Sequence, residues 1–99
     1  MEVAGQMNYF SRIKILSPGE SIISSKKSGI VKCAAPLFTG SIAIGIFNLT
    51  TGIEYISILK NEIIDVSKSS SFVMYKDKDD YISVKNNTDQ PWTVELTIM

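Results

Sequence analysis

Asp77, Asp79 and Asp80 form the densest set of ligating side chains in the sequence. Clustered carboxylates on a loop are what a hard cation such as calcium takes. Lys76 and Lys78 interrupt the negative run, however, and the glycine and distal glutamate of a helix-loop-helix calcium site are missing. The segment therefore reads as a solvated hairpin turn. Glu54, Glu62 and Asp65 are the acids that would have to pair for glycoside hydrolysis, which needs two carboxylates across one cleft. Their spacing brings no two of them together. Cys33, the single cysteine, lies beside Ala34 and Ala35 and reads as a small buried side chain rather than a nucleophile. The chain has no histidine, which removes serine-histidine and cysteine-histidine catalysis and the commonest metal ligand. One cysteine makes neither an internal disulfide nor a zinc cluster. No catalytic residue, metal site or cofactor is expected, and the chain does not read as an enzyme.

Two sets of residues carry binding chemistry instead. Tyr75, Tyr81, Asn86, Asn87, Gln90 and Trp92 gather toward the end of the chain, and aromatic faces beside amides are the means by which sugar-binding sandwiches hold a glycan. Against this, Trp92 leads the apolar face of a strand and the asparagines suit a turn. The second set is Val3, Met7, Tyr9 and Phe10, apolar side chains on an irregular N-terminal segment. Such an end gains order by docking, either on its own domain or on a neighbouring subunit.

The elements that must position these residues are strands. Twenty-seven of the 99 residues are Ile, Val or Thr, fifteen of them Ile, a bias that suits pleated, half-buried surfaces. Period-two patterning marks strands over residues 11–16, 21–25, 30–34, 40–48, 53–59, 63–66, 72–76, 81–85 and 92–99, with turn residues between them. The last is the clearest: Trp92, Val94, Leu96 and Ile98 alternate with Thr93, Glu95 and Thr97. In 40–48 neither face is polar, so it is expected to be a central strand buried on both sides, with Ile42, Ile44 and Ile46 in the core beside Val94, Leu96 and Ile98. The expected fold is an all-β, small antiparallel sandwich of about eight strands, jelly-roll-like, over residues 11–99, preceded by an arm at 1–10.

The 99 residues suit one domain. Ten basic against ten acidic residues give no net charge, so nucleic acid is not an expected partner. The charge is uneven, with five basic and two acidic residues in 1–50 and five and eight in 51–99. No apolar run is long enough to insert in a membrane, and no signal peptide is read at the N-terminus, so a soluble protein made in the cytoplasm is expected. The closing pattern, Tyr81-Ile-Ser-Val then Asn86-Asn87 and Trp92-Thr-Val-Glu-Leu-Thr-Ile, resembles the last hairpin of jelly-roll and sandwich domains, lectin-like and viral ones among them. It is too widely shared to name a family. The expected function is a non-catalytic assembly module that forms a homo-oligomer or docks on other protein subunits. One form of this reading is an auxiliary, decoration-type component of a phage or viral particle; the preference for Ile, Asn, Lys and Ser suggests an AT-rich genome, which bears on the source and not on the mechanism. The alternative is a carbohydrate-binding, lectin-like sandwich.

Overall fold

The structure, a computed structural model, describes residues 9–37, 40–48, 55–59 and 63–99. It is all-β, with nine strands in chain order: β1 Phe10–Leu16, β2 Ser21–Ile23, β3 Ser28–Ala35, β4 Ser41–Asn48, β5 Tyr55–Leu59, β6 Ile64–Asp65, β7 Phe72–Lys76, β8 Ile82–Asn86 and β9 Trp92–Ile98. They form a five-stranded sheet in the order β1-β9-β3-β4-β5 and a four-stranded sheet in the order β2-β8-β7-β6. The pairings are antiparallel except β6 with β7, which is parallel and only two residues long. No helix among the described residues is long and apolar enough to cross a membrane.

Directly opposed residues in an antiparallel pair carry their side chains to the same side, so the registers define each face. On β9, Val94, Leu96 and Ile98 are fully buried, as the alternation predicts. Their partners on β3, Cys33 opposite Leu96 and Val31 opposite Ile98, are also buried. From the other sheet come Ile22, Phe72, Met74, Ile82 and Val84, and the two sets join in one apolar cluster. Burying these sheet faces against each other is the main drive to fold, at roughly 1.5 to 3 kcal/mol per large side chain before chain entropy is subtracted.

Strand β4 corrects the expectation for its isoleucines. Ala43 and Phe47 are buried, while Ile42 and Ile46 are 41% and 42% exposed and Ile44 is half-buried. The register decides this: Ala43 lies opposite buried Cys33, and Ile44 lies opposite exposed Lys32. The physical reason is volume. Opposite Phe72, Met74 and Ile64 of the facing sheet, β3 and β4 set small residues, Cys33, Ala35 and Ala43, beside Val31 and Phe47 in the same core. Strand β4 is central in its sheet but has one buried face, not two.

Phe10, placed at the end of the N-terminal arm by the sequence reading, is the first residue of β1. It sits opposite Ile98, on the inner side, and packs against the core. At the same end Gly29 has a φ of 142°, and a Cβ there would strike the Met99 carbonyl. The close approach lets Ile30 and Met99 exchange both backbone hydrogen bonds, at 3.0 and 2.9 Å.

Two neighbours on β4 test the corrected face. Phe47→Ala is expected to cost about 3 to 5 kcal/mol by emptying a core position, and Ile46→Ala less than about 1 kcal/mol. Urea unfolding of both variants checks this; a larger loss for Ile46→Ala would reverse the assigned face.

Candidate functional site

The outer face of the five-stranded sheet follows from the same registers. Across β1, β9, β3 and β4 it presents Ile13 and Ile15, then Thr93, Glu95 and Thr97, then Ile30, Lys32 and Ala34, then Ile42, Ile44 and Ile46. Ile13 and Ile15 are 57% and 66% exposed, and Ile30 47%. Solvent-facing antiparallel sheets normally alternate apolar inside with polar outside; here isoleucine occupies much of the outside as well. The charged centre is Lys32 with Glu95, whose Nζ and Oε1 are 3.7 Å apart. With strands about 4.8 Å apart and a rise of about 3.3 Å per residue, the face measures roughly 20 by 20 Å, on the order of 400 Å² in plan. The isoleucines flank a polar row, Thr93, Glu95 and Thr97, so the face is apolar at its sides and charged at its centre.

The edge of this sheet is treated differently. β1 is one of its two edge strands, β5 being the other. Arg12 and Lys14 lie opposite Leu96 and Val94 and so point to the inner side of the sandwich rim. The Lys14 ammonium is 3.7 Å from Glu20 Oε2. The Ser17 N–H and that ammonium hold the Glu20 carboxyl below its ordinary pKa. Inward-pointing charges on an edge strand discourage another strand from pairing there. The edge is guarded and the face is not.

Of the N-terminal set, Val3 and Met7 lie outside the described residues. Tyr9 is 58% exposed, and the Phe10 ring is engaged with the domain's own core. The glycan set is dispersed. Asn86 is fully buried, and its amide is used within the fold: Nδ2 donates to the Leu16 and Gln90 carbonyls, both at 2.8 Å, and Oδ1 accepts from the Thr88 N–H and hydroxyl at 2.9 and 2.7 Å. It has nothing left for a sugar. Trp92 is half-buried and packs on the core. Tyr81 sits under the Lys27 ammonium, 5.6 Å from its ring centre. Gln90 is exposed, and its carbonyl serves the Asn86 turn. Only Tyr75 and Asn87 meet, on the wall of an open groove of about 540 Å³ over the outer face of the four-stranded sheet.

Cys33 is buried, and desolvation, with the nearby Glu95 charge, pushes its thiol up to about 12. It stays protonated and unreactive at neutral pH. Asp77 Oδ1 accepts from the Asp79 and Tyr81 backbone N–H groups at 3.0 and 2.8 Å, and Asp80 pairs with Lys76 at 3.6 Å. These carboxylates close the β7–β8 turn. Asp65 caps the adjoining Val66 N–H at 2.8 Å; Glu54 and Glu62 lie outside the described residues. Among the described residues no three metal-ligating side chains cluster.

Sequence reasoning missed both the isoleucine face and the lysines of the groove. A signal for the first was present: Lys32 shares a side with Ile30 on β3, which marks that side as solvent-facing. Compared with protein-family models, curated proteins and solved structures, the chain matches none.

The two neighbouring asparagines should part company on substitution. Asn86→Ala is expected to destabilise by on the order of 2 to 4 kcal/mol, because four hydrogen bonds go and the buried Leu16 carbonyl loses this donor. Asn87→Ala, at an exposed position, should cost under about 1 kcal/mol. Chemical denaturation distinguishes them.

Proposed function

We propose that this chain is a non-catalytic assembly module that self-associates through the outer face of its five-stranded sheet. The carrying observation is the isoleucine surface formed by Ile13, Ile15, Ile30, Ile42 and Ile46, each at least 41% exposed. The occupant is a second copy. A flat sheet face stacks well on another of the same shape. The central charges, Lys32 and Glu95, are of opposite sign and adjacent, so a two-fold axis through this region can place each lysine near the partner's glutamate. Two such faces would cover roughly 800 to 1,000 Å² in total, the low end for protein interfaces, where weak, concentration-dependent association is expected. The role as an auxiliary subunit of a phage or viral particle belongs to the same reading.

Sedimentation velocity over a concentration series up to roughly 100 µM, a range in which weak dimers form, tests the proposal. A concentration-dependent dimer is expected for the native sequence. Ile46→Lys should leave a monomer whose melting temperature falls by only a few degrees, since the position is outside the core. A native chain that stays monomeric throughout, or an Ile46→Lys variant that dimerises as before, overturns it.

A further inference from the structure

We infer that the groove on the four-stranded sheet is a binding site for an acidic saccharide, a sugar carrying a carboxylate or a sulfate. It lies on the opposite side of the sandwich from the isoleucine face, so the inference stands independently of self-association.

The registers place Ser21, Lys85 and Val73 in one row across β2, β8 and β7, with Tyr75 in the next row opposite Ser83. The Tyr75 hydroxyl donates to Ser21 Oγ at 2.9 Å. Those residues belong to strands on either side of β8, so the tyrosine side chain reaches across it. That reach accounts for the complete burial of Ser83, an outward-facing serine. At the end of the sheet, Asn87 Nδ2 donates to the Lys68 and Ser70 carbonyls at 3.1 and 3.3 Å. The Asn87 N–H donates to the Ser71 carbonyl at 2.8 Å. These bonds fix Lys68 and Asn87 together on the rim.

The groove of about 540 Å³ is thus walled by Ser21, Lys68, Val73, Tyr75, Lys85 and Asn87, a size suited to one or two sugar rings. Its chemistry is one-sided. Lys68 and Lys85 both line it, no acidic residue does, and neither ammonium has an ion-pair partner among the described residues. A chain with no net charge thus places two cations at one concavity with no acid on its wall. The rest of the wall suits a hydroxylated ring. Ser21 accepts from Tyr75, which leaves its own hydroxyl hydrogen to donate to a bound oxygen. Asn87 uses its NH₂ within the fold and keeps Oδ1 to accept from a sugar hydroxyl. Val73 and the tyrosine ring supply apolar contact. A bare anion would use the lysines and leave the remaining wall idle; a neutral sugar would leave both charges unused.

The test is titration of ¹⁵N-labelled full-length protein with methyl glucuronide, methyl glucoside and inorganic sulfate, followed by amide shifts. Methyl glucuronide is expected to give saturable shifts at Ser21, Val73, Tyr75, Lys85 and Asn87, and the neutral glucoside and sulfate to bind at least severalfold more weakly. Lys85→Gln and Lys68→Gln should each weaken glucuronide binding by roughly two- to fivefold, the range for exposed charge pairs. Lys32→Gln, on the other sheet, should change nothing. Ile46→Lys should bind as the native chain does, which separates this result from the fate of the dimer. No saturable shift, equal binding of glucoside and glucuronide, or sulfate binding as tightly as the glucuronide would falsify the assignment, the last by showing an ion site only.

Discussion

The two sheets are tied at one end by a single buried side chain. Asn86 ends β8 in the four-stranded sheet, and Leu16 ends β1 in the five-stranded one; the Asn86 amide spans from one to the other and also holds the 86–90 turn that leads into β9. The Asn86 backbone extends the β2–β8 pairing within its own sheet, since the Gly19 N–H donates to the Asn86 carbonyl and the Asn86 N–H donates to that of Glu20. A buried amide has two donors and two acceptor sites, and this one satisfies all four. Apolar contact alone lets two sheets slide over one another; a fully bonded amide at their junction fixes one arrangement. Asn87, next in sequence, is held on the groove rim by its own bonds to Lys68, Ser70 and Ser71, and β9 follows directly after the turn that Asn86 closes.

Much of the fold is legible in the sequence because period-two alternation is a local property. Strand β7 has the expected bounds, and β1, β8 and β9 differ from theirs by a residue at most at each end. Where the alternation sets apolar against polar, as in β9, the buried face follows directly. Strand β4 defeats the same logic: its sides are Ile-Ile-Ile and Ala-Gly-Phe, and hydrophobicity favours the wrong one. What decides is how much room the opposite sheet leaves, a quantity set by Phe72 and Met74 some thirty residues away. Asn86 was read as a ligand contact for a related reason. Nothing in Asn-Asn-Thr says which asparagine turns inward, and only the Leu16 carbonyl, 70 positions earlier in the chain, settles it. The groove is illegible for the same cause: Ser21, Lys68, Tyr75 and Lys85 come together only through strand order.

The distribution of charge and apolar surface is consistent with face-on rather than edge-on association. Unpaired edge strands invite indiscriminate pairing, and this chain sets Arg12 and Lys14 toward the rim beside its exposed β1 edge. On the adjacent face it keeps isoleucines that stability does not require. Threonine would serve a solvent-facing strand position as well, and β9 uses it at Thr93 and Thr97 between the isoleucine rows. At the β1 side, an edge that discourages pairing lies next to a face that retains apolar side chains, which favours contact by the face there.

Stacking two copies by that face has a geometric consequence for the groove. The dimer would be four sheets deep, and with sheets about 10 Å apart its two grooves would lie on the outermost layers, roughly 30 Å from one another and facing opposite ways. No single short saccharide could reach both, so dimerisation would add nothing to the affinity for an isolated ligand. The gain would come only where two separate acidic chains are held near one another, which the dimer could bridge. Self-association and ligand binding on opposite sheets would therefore make a cross-linker rather than a clamp, connected through the apolar core between the two sheets.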